Sequence, residues 1–132
     1  MTNNLKLEVA PVELAVVQLD PTADIPGWAL AGDLYSVSRT PEELSIVCGQ
    51  EFVPDGLTAR RGFRALKVQG PLEFSAVGVL ESLARPLAEA GLSIFVISTF
   101  ATDYLLVAAV DLASACDVLV AAGHDVLDTP AK

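Results

Sequence analysis

The chain has 132 residues, of which 52% are hydrophobic and 19% charged, and a net charge of −9. That length allows one ordinary domain, or two very small ones sharing a core. The acidity is spread over both halves, with 4 basic and 9 acidic residues in 1–61 and 4 basic and 8 acidic in 62–132, which argues against a nucleic-acid or anionic-membrane surface.

The first eleven residues hold no apolar stretch long enough for a signal peptide. No window reaches the ~18 uninterrupted apolar residues of a membrane span. The expectation is a cytoplasmic protein. Cys48 and Cys116 lie far apart without metal-ligand spacing and read as buried, reduced thiols.

In chain order, residues 5–9 and 13–19 read as strands. Residues 21–32 contain two prolines and two glycines and hold at most a short helical turn. Trp28, within them, reads as a core or interface plug rather than a ligand platform. Residues 34–38 and 44–49 are strands. Residues 51–61, with Pro54, Gly56 and two arginines, read as a loop and a boundary, dividing the chain into 1–61 and 62–132.

The second half is more regular. Residues 63–69 form a strand that ends at Gly70-Pro71. Ser75 can cap a helix running to about Ala90, with Val77, Leu80, Leu83, Ala84 and Leu87 as its apolar stripe. Pro86 should kink its last turn, and Gly91 stops it. Residues 92–99 and 104–110 are strands joined across 100–103 by a hairpin. Asp111 caps a second helix over 112–122, with Leu112, Ala115, Cys116, Leu119 and Val120 facing inward. Gly123 ends it, and 125–127 make a final short strand. The order is β-α-β-β-α-β, an α+β ferredoxin-like arrangement with two helices on one face of a sheet.

A degenerate internal repeat is present. Ser38 to Val47 lines up with Ser98 to Val107, each segment starting with Ser, carrying an acid at the sixth place and ending in an apolar strand. From Gln18 to Ser38 is 20 positions and from Gln69 to Ser98 is 29. The first copy therefore lacks nine residues where the second has its first helix.

The runs Gly70 to Leu80, Pro86 to Ile94 and Ile97 to Val107, and above all the Ser98-Thr99-Phe100 to Asp103-Tyr104 hairpin, resemble the small tandem ACT-domain proteins. This group is related to the ACT domains of aspartate kinases and to the arginine sensors of the CASTOR family. The resemblance covers 62–124 strongly and 1–61 weakly. It implies a degenerate N-terminal ACT copy packed on a complete C-terminal one. It also implies a non-catalytic, cytosolic module that binds an amino acid or another small effector, and whose ligand sits near the loop between the first strand and first helix.

The topology agrees, because it gathers the end of the first strand, the start of the first helix and the hairpin at one edge. The ligand-binding candidates there are Gly70, Phe74, Ser75, Gly78 and Val79 with Ser98, Thr99, Phe100 and Asp103. Amides at a helix start suit a carboxylate, and Asp103 suits an ammonium group. From the first copy, Ser36, Val37 and Ser38 are the matching strand that could close the site. The arginine sensors carry acidic residues just before the loop glycine, whereas Ser75, Ala76 and Val77 stand here, against a cationic ligand side chain.

No phosphate loop, metal-ligand spacing, nucleophile elbow or Cys/His pairing occurs in the sequence. His124 follows a helix-ending glycine and has no partner in sequence. The expectation is a protein that catalyses nothing, needs no cofactor or metal, and acts as a homodimer on a partner enzyme or regulator. The alternative is a structural dimerisation or interaction module with a vestigial ligand site.

Overall fold

A computed structural model describes residues 4–69 and 78–128. Its strands are β1 (Lys6–Leu19), β2 (Ser36–Arg39), β3 (Leu44–Gly49), β4 (Thr58–Val68), β5 (Phe95–Ser98), β6 (Asp103–Ala108) and β7 (Asp125–Asp128). Its helices are α1 (Val79–Glu89) and α2 (Leu112–Ala121), with 3-10 turns at Gly27–Leu30, Gln50–Phe52 and Ala109–Asp111. The residues group into two compact units, Val12–Phe63, and Met1–Pro11 together with Arg64–Lys132.

The larger unit is built on alternation. Leu7 and Val9 from β1, Leu66 and Val68 from β4, and Leu105 and Val107 from β6 stand two residues apart, so each pair points to one face of its strand. Leu83 and Leu87 from α1, and Ala115 and Leu119 from α2, stand four apart and share a helix face. All ten are fully buried in one cluster. Burying a leucine of this kind contributes roughly 1.5–3 kcal/mol, so this shared core, more than any cap, holds both helices on the sheet.

The strand order in this unit is β7-β1-β4-β6-β5. The final strand therefore does not complete the sheet against β4. It pairs in parallel with the first residues of the chain, Lys6 opposite Asp125 and Leu7 opposite Val126. β5 and β6 pair antiparallel and form the expected hairpin, with Phe95 opposite Leu106 and Ser98 opposite Asp103.

Both helices end as their glycines dictate. Gly91 and Gly123 take positive φ, 78° and 100°, which glycine adopts without a Cβ penalty. Each then closes a Schellman motif. Gly91 N–H donates to Ala88 and Leu92 N–H to Leu87, while Gly123 N–H donates to Val120 and His124 N–H to Leu119.

In the smaller unit β3 pairs antiparallel with β1, Leu14 opposite Gly49 through Leu19 opposite Leu44. β2 pairs antiparallel with the other side of β3. Ala15, Val17, Ala29, Leu44, Ile46, Cys48 and Val53 form the buried core, and Trp28 packs against it as the expected plug.

Several sequence expectations need correction. The strands at 5–9 and 13–19 are one strand, β1. Residues 10–13 fall between its ladders with β7 and β3, where Pro11 has no ladder bond to withhold on that side. The loop at 51–61 is shorter than expected, since β4 begins at Thr58. Asp111 makes no side-chain cap to α2, because the chain enters that helix through the 3-10 turn at Ala109–Asp111. Val120 is 55% exposed, since a helix that buries Ala115 and Leu119 turns position 120 outward. Pro86 is accommodated inside α1, which continues to Glu89. The proposed Ser75 cap lies outside the described residues.

Candidate functional site

The β5–β6 hairpin brings the polar candidates together. At its base Ser98 and Asp103 are cross-strand partners, and the Ser98 hydroxyl donates to Asp103 Oδ1 at 2.6 Å. Thr99 N–H donates to the Thr102 carbonyl at 2.8 Å. The Thr99 hydroxyl donates to the same carbonyl at 3.1 Å and accepts from Thr102 N–H at 3.2 Å. These bonds close the turn through Thr99 N–H and both backbone groups of Thr102. Phe100, at the tip, is 90% exposed.

Thr102 was not among the sequence candidates, yet it places the hairpin. Its residue is buried and its hydroxyl donates to the Val68 carbonyl at the end of β4. The next residue is fastened too, because Gln69 N–H donates to the Lys6 carbonyl at 2.8 Å. The end of β4 and the hairpin therefore share one edge. The signal in the sequence was Thr99-x-x-Thr102, the spacing at which one threonine hydroxyl can serve the other's backbone.

Gly78 stands immediately before α1 with φ 81° and no side chain cap, and Val79 is the first helical residue. The free N–H groups of such a start attract negative charge. Gly70, Phe74 and Ser75 lie outside the described residues. Ser36, Val37 and Ser38 form β2 of the 12–63 unit, opposite Val47, Ile46 and Ser45 of β3.

The β2–β3 hairpin uses the same turn chemistry as β5–β6. Thr40 N–H donates to the Glu43 carbonyl at 2.9 Å, and Glu43 N–H donates to the Thr40 hydroxyl at 3.2 Å. Thr40 thus occupies the place of Thr99, and Glu43 that of Thr102. The two hairpins correspond at a spacing of one residue less than the sequence alignment of Ser38 with Ser98 assumes.

Among the described residues no group of three or more His, Cys, Asp or Glu side chains is placed to hold a metal ion. No described helix is long and apolar enough to cross a membrane. What the hairpin edge offers is hydroxyls, one carboxylate and backbone N–H groups, which suit a small polar ligand by hydrogen bonding.

Residues 58–121 match the ACT domain family model, and residues 13–56 match a separate model described as an N-terminal domain. A crystallised protein from Agrobacterium tumefaciens is 37% identical, over 97% of this chain and 96% of that one, with a TM-score of 0.92. A Vibrio cholerae protein of unknown function, described as a possible transport protein, is 22% identical over 91% of both chains, with a TM-score of 0.75. The regulatory subunit of aspartate kinase from Thermus thermophilus is 13% identical, over 88% of this chain and 95% of that one, with a TM-score of 0.64. The last two share the fold. Among curated protein sequences, none matches this one.

Proposed function

We propose that this chain, which carries an ACT domain and belongs to one family with the Agrobacterium tumefaciens protein, binds a small effector, an amino acid above all, and reports its presence to a partner protein without catalysing a reaction. The observation that carries the reading is the hairpin edge, where Ser98, Thr99 and Asp103 cluster and Thr102 fastens them beside the end of β4. A free amino acid offers a carboxylate for the amides at the start of α1 and an ammonium group for Asp103. The fold shared with an aspartate kinase regulatory subunit supports a regulatory rather than a catalytic role.

The finer features belong to the same proposal. They are a homodimer, a cytoplasmic setting, a regulated partner enzyme, a degenerate first ACT copy over 1–61 and kinship with the arginine sensors of the CASTOR family. The engagement of Asp103 by Ser98 also favours a second reading, in which the site is vestigial and the protein is an interaction module.

A thermal-shift screen of the chain against the twenty amino acids, with Asp103→Ala alongside, tests the two. A ligand at 100 times its Kd stabilises by about 2.7 kcal/mol, which raises the melting temperature by several degrees. A rise with one or two ligands, lost in the variant, is the expected result. No shift with any of them would sink the amino-acid reading and leave the interaction module.

A further inference from the structure

We infer that His124 is a proton-sensitive latch that fastens the start of β1 to α1 and β7. The chain's one histidine is only 4% exposed, and both ring nitrogens are engaged. Leu5 N–H donates to Nδ1 at 3.1 Å. A backbone amide can only donate, so Nδ1 is the acceptor and the proton sits on Nε2. Nε2 then donates to the Ser82 carbonyl, also at 3.1 Å.

The second bond has a cause in the sequence. A helical carbonyl normally accepts from the N–H four residues on. For Ser82 that residue is Pro86, which has none. The imidazole supplies the missing donor from outside the helix. Two further features deliver the ring to this place. Gly123 turns the chain out of α2 so that His124 N–H reaches Leu119, and Asp125 N–H donates to the Leu5 carbonyl at 2.9 Å. Leu5 is thus held from both sides, its N–H by the ring and its C=O by the next residue of the chain.

The arrangement works only with a neutral ring. A second proton converts Nδ1 from acceptor to donor, setting Nδ1–H against Leu5 N–H. The Ser82 bond survives this change and the Leu5 bond does not. Acid therefore opens the β1 end of the latch first. Lys6, Glu81, Arg85, Asp117 and Asp125, on the surrounding elements, are exposed. Glu81 and Arg85 pair with each other, and Glu8 alternates away from the core face that Leu7 and Val9 occupy.

Amide hydrogen exchange on the full chain between pH 7.5 and 5.5, corrected for intrinsic rates, tests the latch. The Leu5 amide should lose about fivefold in protection, the factor that one hydrogen bond is worth, and Asp125 should follow. In His124→Asn the side-chain oxygen stands near the place of Nδ1 and does not titrate, so protection there should be flat with pH. Unchanged wild-type protection, or the same loss in the variant, would overturn the latch. Nitrogen-15 NMR of the wild-type ring keeps the test open should the variant not fold. The Nε2–H tautomer is expected at pH 7.5, disappearing in step with the Leu5 amide shift. A ring that titrates while Leu5 stays still, or that does not titrate in this range, would also overturn it.

Discussion

The Thr102 hydroxyl donates to the Val68 carbonyl, thirty-four residues away in sequence, and this bond ties the hairpin turn to the end of β4, beside which β6 already lies in the sheet. Thr102→Val keeps the shape and removes the donor, leaving a buried carbonyl without its partner. We expect a loss of roughly 1–3 kcal/mol in stability by urea denaturation. Under the ligand-binding reading, effector affinity should fall as well, since the edge it organises loosens. A variant as stable as the wild type would mean that the hydroxyl adds nothing to the fold.

How much of this was legible in the sequence depended on the range of the interaction. The helices, their glycine stops and the β5–β6 hairpin follow from signals within a few residues, and they stand close to where periodicity puts them. The pairing of β7 with residues 6–9 joins opposite ends of the chain, and nothing local marks it. Residues 5–9 and 125–127 each read as a short strand, and a strand does not name its neighbour. The hairpin correspondence was found, but one residue out of step. Identical serines drew the alignment, whereas the turns are set by Thr40 and Thr99. Of the site candidates, the hairpin residues come together, while Thr102 escaped notice because the Thr99-x-x-Thr102 spacing marks a turn and not the long-range bond of its hydroxyl to Val68.

The two helix-stop glycines should respond differently to substitution. Both hold positive φ, so alanine at either is strained by about 1 kcal/mol. A Cβ at position 91 meets nothing within 4 Å, whereas at position 123 it lies 3.2 Å from Asn4 Oδ1. Gly123→Ala should therefore lower the melting temperature more than Gly91→Ala. Equal losses would show that Asn4 yields freely.

Asp20 gives a pH-dependent contribution whose sign can be worked out. The Thr22 hydroxyl, and secondarily the Thr22 N–H, donate to its carboxylate at 2.6 and 2.9 Å and hold its pKa below the ordinary 3.8. A carboxyl depressed in the folded state stabilises fully above the unfolded value, and that stabilisation disappears as pH falls through the folded value. Stability should thus decline below about pH 4 in part through this residue. Carboxyl-carbon NMR should show Asp20 titrating below the ordinary value in the wild type and moving upward in Thr22→Ala. An unchanged titration in the variant would remove Thr22 as the cause.

Cys48 offers a test of the smaller unit's integrity. It is fully buried in the core with Ala15, Val17 and Ile46, and burial pushes its thiol pKa above 9.0. Thiolate is the reactive form, so both inaccessibility and protonation protect this sulfur. In the native protein near neutral pH, alkylation of Cys48 followed by mass spectrometry should be slow, and it should become fast in denaturing urea. Since the residue can react only when its unit opens, the native rate divided by the unfolded rate reports that opening directly. Rapid native labelling would show that the core around Ala15, Val17 and Ile46 opens far more readily than its packing implies. Cys48→Ala should cost little beyond its lost packing, because the sulfur holds no bond that the fold depends on.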